Sequence, residues 1–389
     1  MENRCLFSNA STFRKNHGLV KEIAHGGEGA VSLWKNKSSE TLIVVKKPVA
    51  NNKSVKHALK EEIRAMEKLG EHPHIVRFLG AADDWPKVAP ALFYDYCELG
   101  DVQQYNKTLF NAGKWISETT LWKFIVDTSK GLAYLHNDFG ISYVHGDLKP
   151  SNILVCRSPN DNAELPTMPT FKLADISHMK AYKPRQPKYQ HPSKYQGTWE
   201  YAPPMEERNA RLAPPVDIWA IGASLQTLAW GILPVKSNEA IRKEMKAQGY
   251  PCLTDAQIQA WRYNDEFRRT KLPFVWRPLN ASPNDQLQKY DMRHPCPPYS
   301  DLLNNWYAMC LHQDPQTRVN ARVLKEHFIP HAEQQIKLLA CLQRRDEAHK
   351  KVSSLKAKAA ERQKLKAKAK TKAGRLEPPV VQVGLEKDL

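Results

Sequence analysis

The residues best placed to do chemistry lie in Tyr143–Val155, which reads YVHGDLKPSNILV. Asp147, Lys149 and Asn152 fall close together, in a loop predicted between a long apolar helix and a short strand. A carboxylate, an ammonium and an amide at that spacing bring a general base, a fixed cation and an oxygen metal ligand into one cleft. Asp175 ends the β-like run Phe171-Lys172-Leu173-Ala174, 23 residues beyond Asn152, where a second oxygen ligand for Mg2+ is wanted.

Two weaker signals precede that loop. His25-Gly26-Gly27-Glu28-Gly29-Ala30-Val31 is a glycine turn between two β-rich runs, and its backbone N–H groups could approach phosphate oxygens that a side chain would obstruct. A hairpin also favours glycine, so the turn alone decides nothing. Lys46 ends the next β-rich run, and a lysine pointing inward from a strand needs an acidic partner. Glu61 and Glu62 on the following helical segment are candidates, and such a pair would hold the lysine towards a polyphosphate. A solvated pair of charges is the alternative.

The elements that must position these groups follow from periodicity. Leu19–Lys47 reads as three strands separated by turns, and Ser54–Leu69 has apolar residues at helical spacing. IVRFLGA and ALFYDYC read as two further strands. Beyond Asp101 the pattern turns helical: Thr119–His136 is a strongly apolar helix, followed by a polar loop and the strand NILV. Residues 157–170 and 180–196 are rich in loop-forming residues. Ile218–Val235 approaches the length of a membrane span, yet Ser224, Gln226 and Thr227 interrupt it, and a short helix apolar on all sides suits the centre of a large domain. No membrane span is expected.

Charge and cysteine content narrow the class. The 389 residues are 41% hydrophobic and 25% charged, which suits a folded chain with a sizeable core. The net charge of +17 resembles a nucleic-acid footprint, but fourteen Lys and Arg against three acids between Lys337 and Arg375 supply +11 of it. That tail lacks interleaved aromatic residues, which places nucleic-acid binding last among the functional readings. From Ala340 to Lys372 its composition favours a solvated helix. Seven scattered cysteines without a CxxC pair argue for a reducing compartment, and the N-terminal residues show no apolar signal segment. An intracellular location, cytoplasmic or nuclear, is the expectation.

Taken in order, the glycine loop, Lys46, Glu62, DLKPSN and Asp175 resemble the eukaryotic-type protein kinases over about Leu19–Ala332. The resemblance implies an α+β, bilobal fold: an N-terminal extension (1–18), a β-rich N-lobe with one helix (19–98), a mainly helical C-lobe (99–335) and a basic tail (336–389). It implies ATP and Mg2+ as cofactors. Asp147 would accept the substrate hydroxyl, Lys149 and Lys46 would stabilise phosphate, Glu62 would pair with Lys46, and Asn152 and Asp175 would hold the metal. The ATP site would further include Ala24, His25, Gly26, Gly27, Glu28 and Gly29 of the loop. A hinge at Asp95 to Cys97, the gatekeeper Tyr94 and Asp101 near the ribose would complete it, with Val31, Val44 and Leu154 around the base. DLKPSN with Gly197-Thr198 resembles serine/threonine rather than tyrosine kinases, implying a protein substrate with a Ser or Thr hydroxyl.

Departures from the pattern are concentrated around the switch segment. Ala24 replaces the first loop glycine, Val44 the usual alanine, and Gly146 the arginine before Asp147. Ile176-Ser177 replaces Phe-Gly after Asp175, and Met205 replaces a glutamate whose role Glu206 could take by reaching Arg318. None of these removes a group that touches the transferring phosphate, so activity is the favoured reading, and a pseudokinase scaffold is the alternative. The tail, partly helical or disordered, is either a solvated charge run or a contact for an acidic partner or a nuclear import receptor, Lys364–Lys370 being a suitable cluster.

Overall fold

The short β-rich runs of the first hundred residues form one antiparallel sheet. Its strands are β1 (His17–Gly26), β2 (Gly29–Asn36), β3 (Leu42–Lys47), β4 (Phe78–Ala82) and β5 (Ala91–Asp95), in the order β1-β2-β3-β5-β4. The computed structural model describes residues 6–26, 29–50, 52–159, 161, 163–183, 194–261, 264, 266, 274–290, 292 and 294–373. Contacts divide the chain into two units, 1–335 and 336–389.

The first helix, α1 (Ala10–Asn16), is an element the sequence reading did not assign. Asn9 caps it by accepting from the Thr12 N–H, and Ala10 and Phe13 are buried. Phe13 lies flat on His17 at 4.1 Å and meets Phe93 at 4.5 Å, so residues 7–13 cover one face of the sheet in a cluster with Ile43, Val45, Leu79 and Trp85. Two turns of helix leave too short a periodic signal to stand out in sequence. Within the helix Ala10 and Phe13, the two buried residues, have the i, i+3 spacing of one helical face, while Phe7 precedes the helix in a bridge to Gly80.

Helix α2 (Lys53–Leu69) starts where Asn52 accepts from the N–H groups of Ser54 and Val55. It buries Leu59, Met66 and Leu69, and on the same stripe the carboxylate of Glu62. That charge sits on an apolar face because its partner lies on β3.

The larger part of the first unit is helical. It contains α3 (Val102–Asn111), α4 (Glu118–Asn137), α5 (Met205–Asn209) and α6 (Pro215–Trp230), with short strands β6 (Tyr143–Val144), β7 (Ile153–Cys156), β8 (Thr170–Leu173) and β9 (Lys180–Ala181). Both α4 and α6 are buried almost throughout, and Trp122, Trp219 and Trp230 are among the largest fully enclosed side chains. The apolar run Ile218–Val235 is helical only to Trp230, where Gly231 caps α6 in a left-handed conformation, and among the described residues no helix is long and apolar enough to cross a membrane. The terminal helix, Ile329–Ala373, begins with Ile329 and Ala332 buried. The side chains described between residues 341 and 365 are all exposed.

Candidate active site

Lys46 lies on β3 opposite Val31 of β2 and Leu92 of β5, with its side chain directed inward. Its Nζ donates to Glu62 Oε2 at 2.9 Å and to Asp175 Oδ1 at 3.0 Å. Glu62, rather than Glu61, is the partner; Glu61 pairs with Arg64 at the surface. Burial alone would push the Lys46 ammonium down, but the charges and hydrogen bonds of Glu62 and Asp175 outweigh it and hold the group well above the usual lysine range.

The second carboxylate oxygen of Glu62 accepts from the Tyr94 hydroxyl at 2.7 Å. Burial, and then the charge of Glu62, raise the Tyr94 hydroxyl well above the ordinary tyrosine value, so it remains a donor. Both oxygens of a carboxylate only 2% exposed are thereby satisfied. Tyr94→Phe leaves one of them without a donor and is expected to cost about 1–3 kcal/mol. A lowered urea midpoint with an unchanged slope checks this.

The loop after β6 is held from below. Asp217 at the start of α6 accepts from the backbone N–H of His145 at 2.8 Å and of Gly146 at 2.9 Å, and its Oδ2 lies 2.9 Å from His136 Nε2. Gly146 has φ +80°, a conformation that favours glycine, and this gives a local reason for the glycine found before Asp147. His145 Nε2 lies 3.0 Å from the Ala174 carbonyl, and Ala174 N–H donates to the Asn152 carbonyl at 2.9 Å, which binds the end of β8 to the loop.

Four hydrogen bonds fix the Asp147 carboxylate. Oδ1 accepts from the Thr198 N–H at 2.6 Å and the Thr198 hydroxyl at 2.8 Å; Oδ2 accepts from Lys149 Nζ at 2.8 Å and Asn152 Nδ2 at 3.3 Å. Lys149 also donates to the Thr198 hydroxyl at 2.8 Å. Thr198 is a site residue that the sequence reading quoted in its motif without giving it a role. Asn152 Nδ2 bonds the Asp147 carbonyl at 2.9 Å as well. Asp175 follows at φ +57°, a left-handed conformation that aspartate tolerates better than most residues and that here accompanies its contact with Lys46.

A cavity of about 520 Å³ lies between the sheet and this loop. Val31, Val44, Lys46, Glu62, Tyr94, Asp95, Cys97, Asp101, Asn152, Leu154 and Asp175 all line it. Lys21, Ile23, Glu164 and Leu165 line it too, and no sequence signal singled them out. Asp101 caps α3 by accepting from Gln104 N–H at 2.8 Å, and burial raises its carboxyl above the usual range. Ala24, His25, Gly26 and Gly29 lie where β1 turns into β2 and are not among the described residues that line the cavity; Gly27 and Glu28 lie outside the described residues. Gly29 has φ +142°, and a Cβ there would sit 2.7 Å from the Lys47 carbonyl oxygen.

One expected pairing is corrected. Arg318 bonds Glu207, not Glu206, its Nη1 donating to Oε1 at 3.0 Å and its Nη2 to Oε2 at 2.8 Å. The short helix α5 turns Glu207 inward, 7% exposed, and leaves Glu206 at the surface.

A sheet-bearing lobe, a helical lobe and this cluster between them agree with what similarity to known proteins shows. The protein kinase domain family matches residues 18–329, and the chain belongs to the protein kinase family. It is 28% identical over 234 residues to Wee1-like protein kinase 2-B of Xenopus laevis, covering 57% of this chain and 40% of that protein. It is 28% identical over 277 residues to the probable serine/threonine-protein kinase iksA of Dictyostelium discoideum, covering 64% and 28%. Identity to serine/threonine-protein kinase ATG1b of Arabidopsis thaliana is 25% over 237 residues, covering 58% and 29%. The chain therefore spans two-fifths or less of the length of these relatives.

Proposed function

We propose that this chain is an active serine/threonine kinase that passes the γ-phosphoryl group of ATP to a protein hydroxyl. The observation that carries the reading is two hydrogen-bonded sets of side chains: Lys46 with Glu62 and Asp175, all three lining the cavity, and Asp147 with Lys149 and Asn152, of which Asn152 lines it. Adenine would lie between Val31, Val44 and Leu154, bonded to the backbone from Asp95 to Cys97, with the ribose towards Asp101. The β1–β2 turn would cover the phosphates.

Lys46, held by Glu62, would fix the phosphates, and Asp147 would orient the substrate hydroxyl and take its proton. Lys149 would stabilise charge on the transferring group, and Thr198 would keep Asp147 and Lys149 in register. Asn152 and Asp175 would hold Mg2+. Their oxygens suit that ion, and Asn152 already spends its Nδ2 on the Asp147 carbonyl, which makes its oxygen the coordinating end. When bound, the metal neutralises phosphate charge. Two of the relatives carry serine/threonine kinase in their names, which with DLKPSN supports the substrate class.

The second reading is a pseudokinase, favoured by Ile176-Ser177 after Asp175 and by Gly146 before Asp147. Ile176 is buried in a single 3-10 turn that continues directly from Asp175. Transfer of label from ATP to a generic protein substrate and to the chain itself, compared with Asp147→Asn, separates the two. Transfer that is equal in both proteins, or absent from both, defeats the first reading.

The tail, 336–389, is proposed as a contact for an acidic partner or a nuclear import receptor. Its removal from residue 337 is expected to leave turnover on a small peptide nearly unchanged while removing salt-dependent retention on an acidic column. The measurement is elution salt for the full and truncated chains, with their distribution in cells testing import.

A further inference from the structure

Two thiols meet beside the cavity, one of them in its wall. Cys97, just beyond β5, and Cys156, the last residue of β7, are 59 positions apart in sequence, and their Sγ atoms are 2.7 Å apart. The backbone there is already joined: Leu99 N–H donates to the Val155 carbonyl at 3.2 Å, and Val155 N–H to the Gly100 carbonyl at 2.8 Å. Cys97 is buried and lines the cavity, while Cys156 is half-buried. Cys252 and Cys341 are exposed, Cys296 and Cys310 are buried, and among the described residues no other pair of thiols is in contact.

We propose that Cys97 and Cys156 are a peroxide-oxidisable dithiol that closes to a disulfide beside the hinge and slows turnover. The effect on turnover rests on the kinase reading above; the disulfide itself does not. A disulfide needs an S–S distance of about 2.05 Å, and the segments that carry these sulfurs are held side by side, so closure asks little of the backbone.

The chemistry balances with hydrogen peroxide as oxidant. The Cys156 thiolate attacks one peroxide oxygen, the O–O bond breaks, and sulfenic acid and hydroxide form; the hydroxide takes the proton Cys156 released and leaves as water. Cys97 sulfur then attacks the sulfenic sulfur, expelling its oxygen as hydroxide, which takes the Cys97 proton. Two thiols and one peroxide give one disulfide and two waters. Cys156 is the sulfur that ionises first: a hydrogen bond from Cys97 favours its thiolate, burial opposes it, and the Lys172 charge assists. That same contact, and then burial, push the Cys97 thiol up. Peroxide is small enough to reach the pair through the cavity that Cys97 lines.

Once closed, the bond ties the segment following the sheet to the strand that carries Leu154. Lobe motions that accompany nucleotide exchange would then be restrained. The full chain, freed of reductant, is titrated with hydrogen peroxide. Linked peptides are mapped after digestion without reduction, and phosphotransfer is followed in parallel. One 97–156 linked peptide is expected, together with a fall in turnover of about threefold or more that dithiothreitol reverses. Cys156→Ser should keep basal turnover and lose the sensitivity. Oxidation of Cys252 and Cys341 with no 97–156 peptide overturns the proposal, and so does a Cys156→Ser variant as sensitive as the wild type. A chain that transfers no phosphate defeats the kinase reading alone. The peptide map then still decides whether the pair closes, and the thermal shift given by ATP before and after oxidation decides whether closure alters the cleft.

Discussion

Asp147→Asn is expected to lose phosphotransfer by about 10²- to 10⁴-fold, the range a positioned general base contributes. The substitution keeps the shape of the side chain but removes the carboxylate that, in the proposed mechanism, takes the hydroxyl proton. It also sets an amide N–H₂ against a donor, because Oδ1 accepts twice from Thr198 and Oδ2 accepts from Lys149 and Asn152. Whichever way the amide turns, the two hydrogen bonds accepted by the oxygen it replaces are lost and donors are left facing a donor, at a cost of about 1–3 kcal/mol for each unsatisfied group. Turnover and thermal midpoint measured together separate the effects: a catalytic role predicts a loss of rate far beyond the modest loss of stability. Purified Asp147→Asn with wild-type turnover would remove Asp147 from the mechanism.

The parts of this site that sequence revealed are those encoded by local pattern. Lys46 stands at the end of an apolar strand and Glu62 on the apolar stripe of a helix, so each is a charge placed where its own element is buried. The residue types alone left both Glu61 and Glu62 as partners for Lys46, and the structure chooses Glu62, with Glu61 at the surface beside Arg64. The loop from Asp147 to Asn152 was readable for a similar reason, because three polar groups of different chemistry sit between two apolar elements.

What sequence left hidden depends on distance along the chain or on helical phase. The Tyr94 hydroxyl meets Glu62 across 32 positions, and a tyrosine in an apolar strand gives no sign of where its hydroxyl points. Thr198 reaches Asp147 across 51 positions through a backbone N–H as well as its side chain, and a backbone donor leaves no trace in residue type. Glu206 and Glu207 differ only by one step of rotation on a helix of five residues, too short for its phase to be read from sequence.

That one-residue difference carries the second large effect. Arg318 and Glu207 form a two-pronged pair whose side chains are 0% and 6% exposed, and Arg318 also donates to the carbonyls of His312 at 3.0 Å and Pro215 at 2.8 Å. Removing either member leaves a charge buried without its partner, which costs about 3–5 kcal/mol. Arg318→Leu is expected to be the more severe change, since it strands the Glu207 carboxylate and two carbonyl oxygens together. Arg318→Lys keeps the charge but cannot reproduce the planar fork, so it should fall between Leu and wild type. Function should follow stability here, because the pair fastens α5, a few residues beyond Thr198, to the start of α6, where Asp217 holds the loop of Asp147. Glu206→Gln, at the exposed neighbour, should change stability by no more than about 0.5 kcal/mol. Urea titrations of these variants rank them directly, and a Glu206→Gln loss equal to that of Glu207→Gln would show that the buried pair is not what joins the two helices.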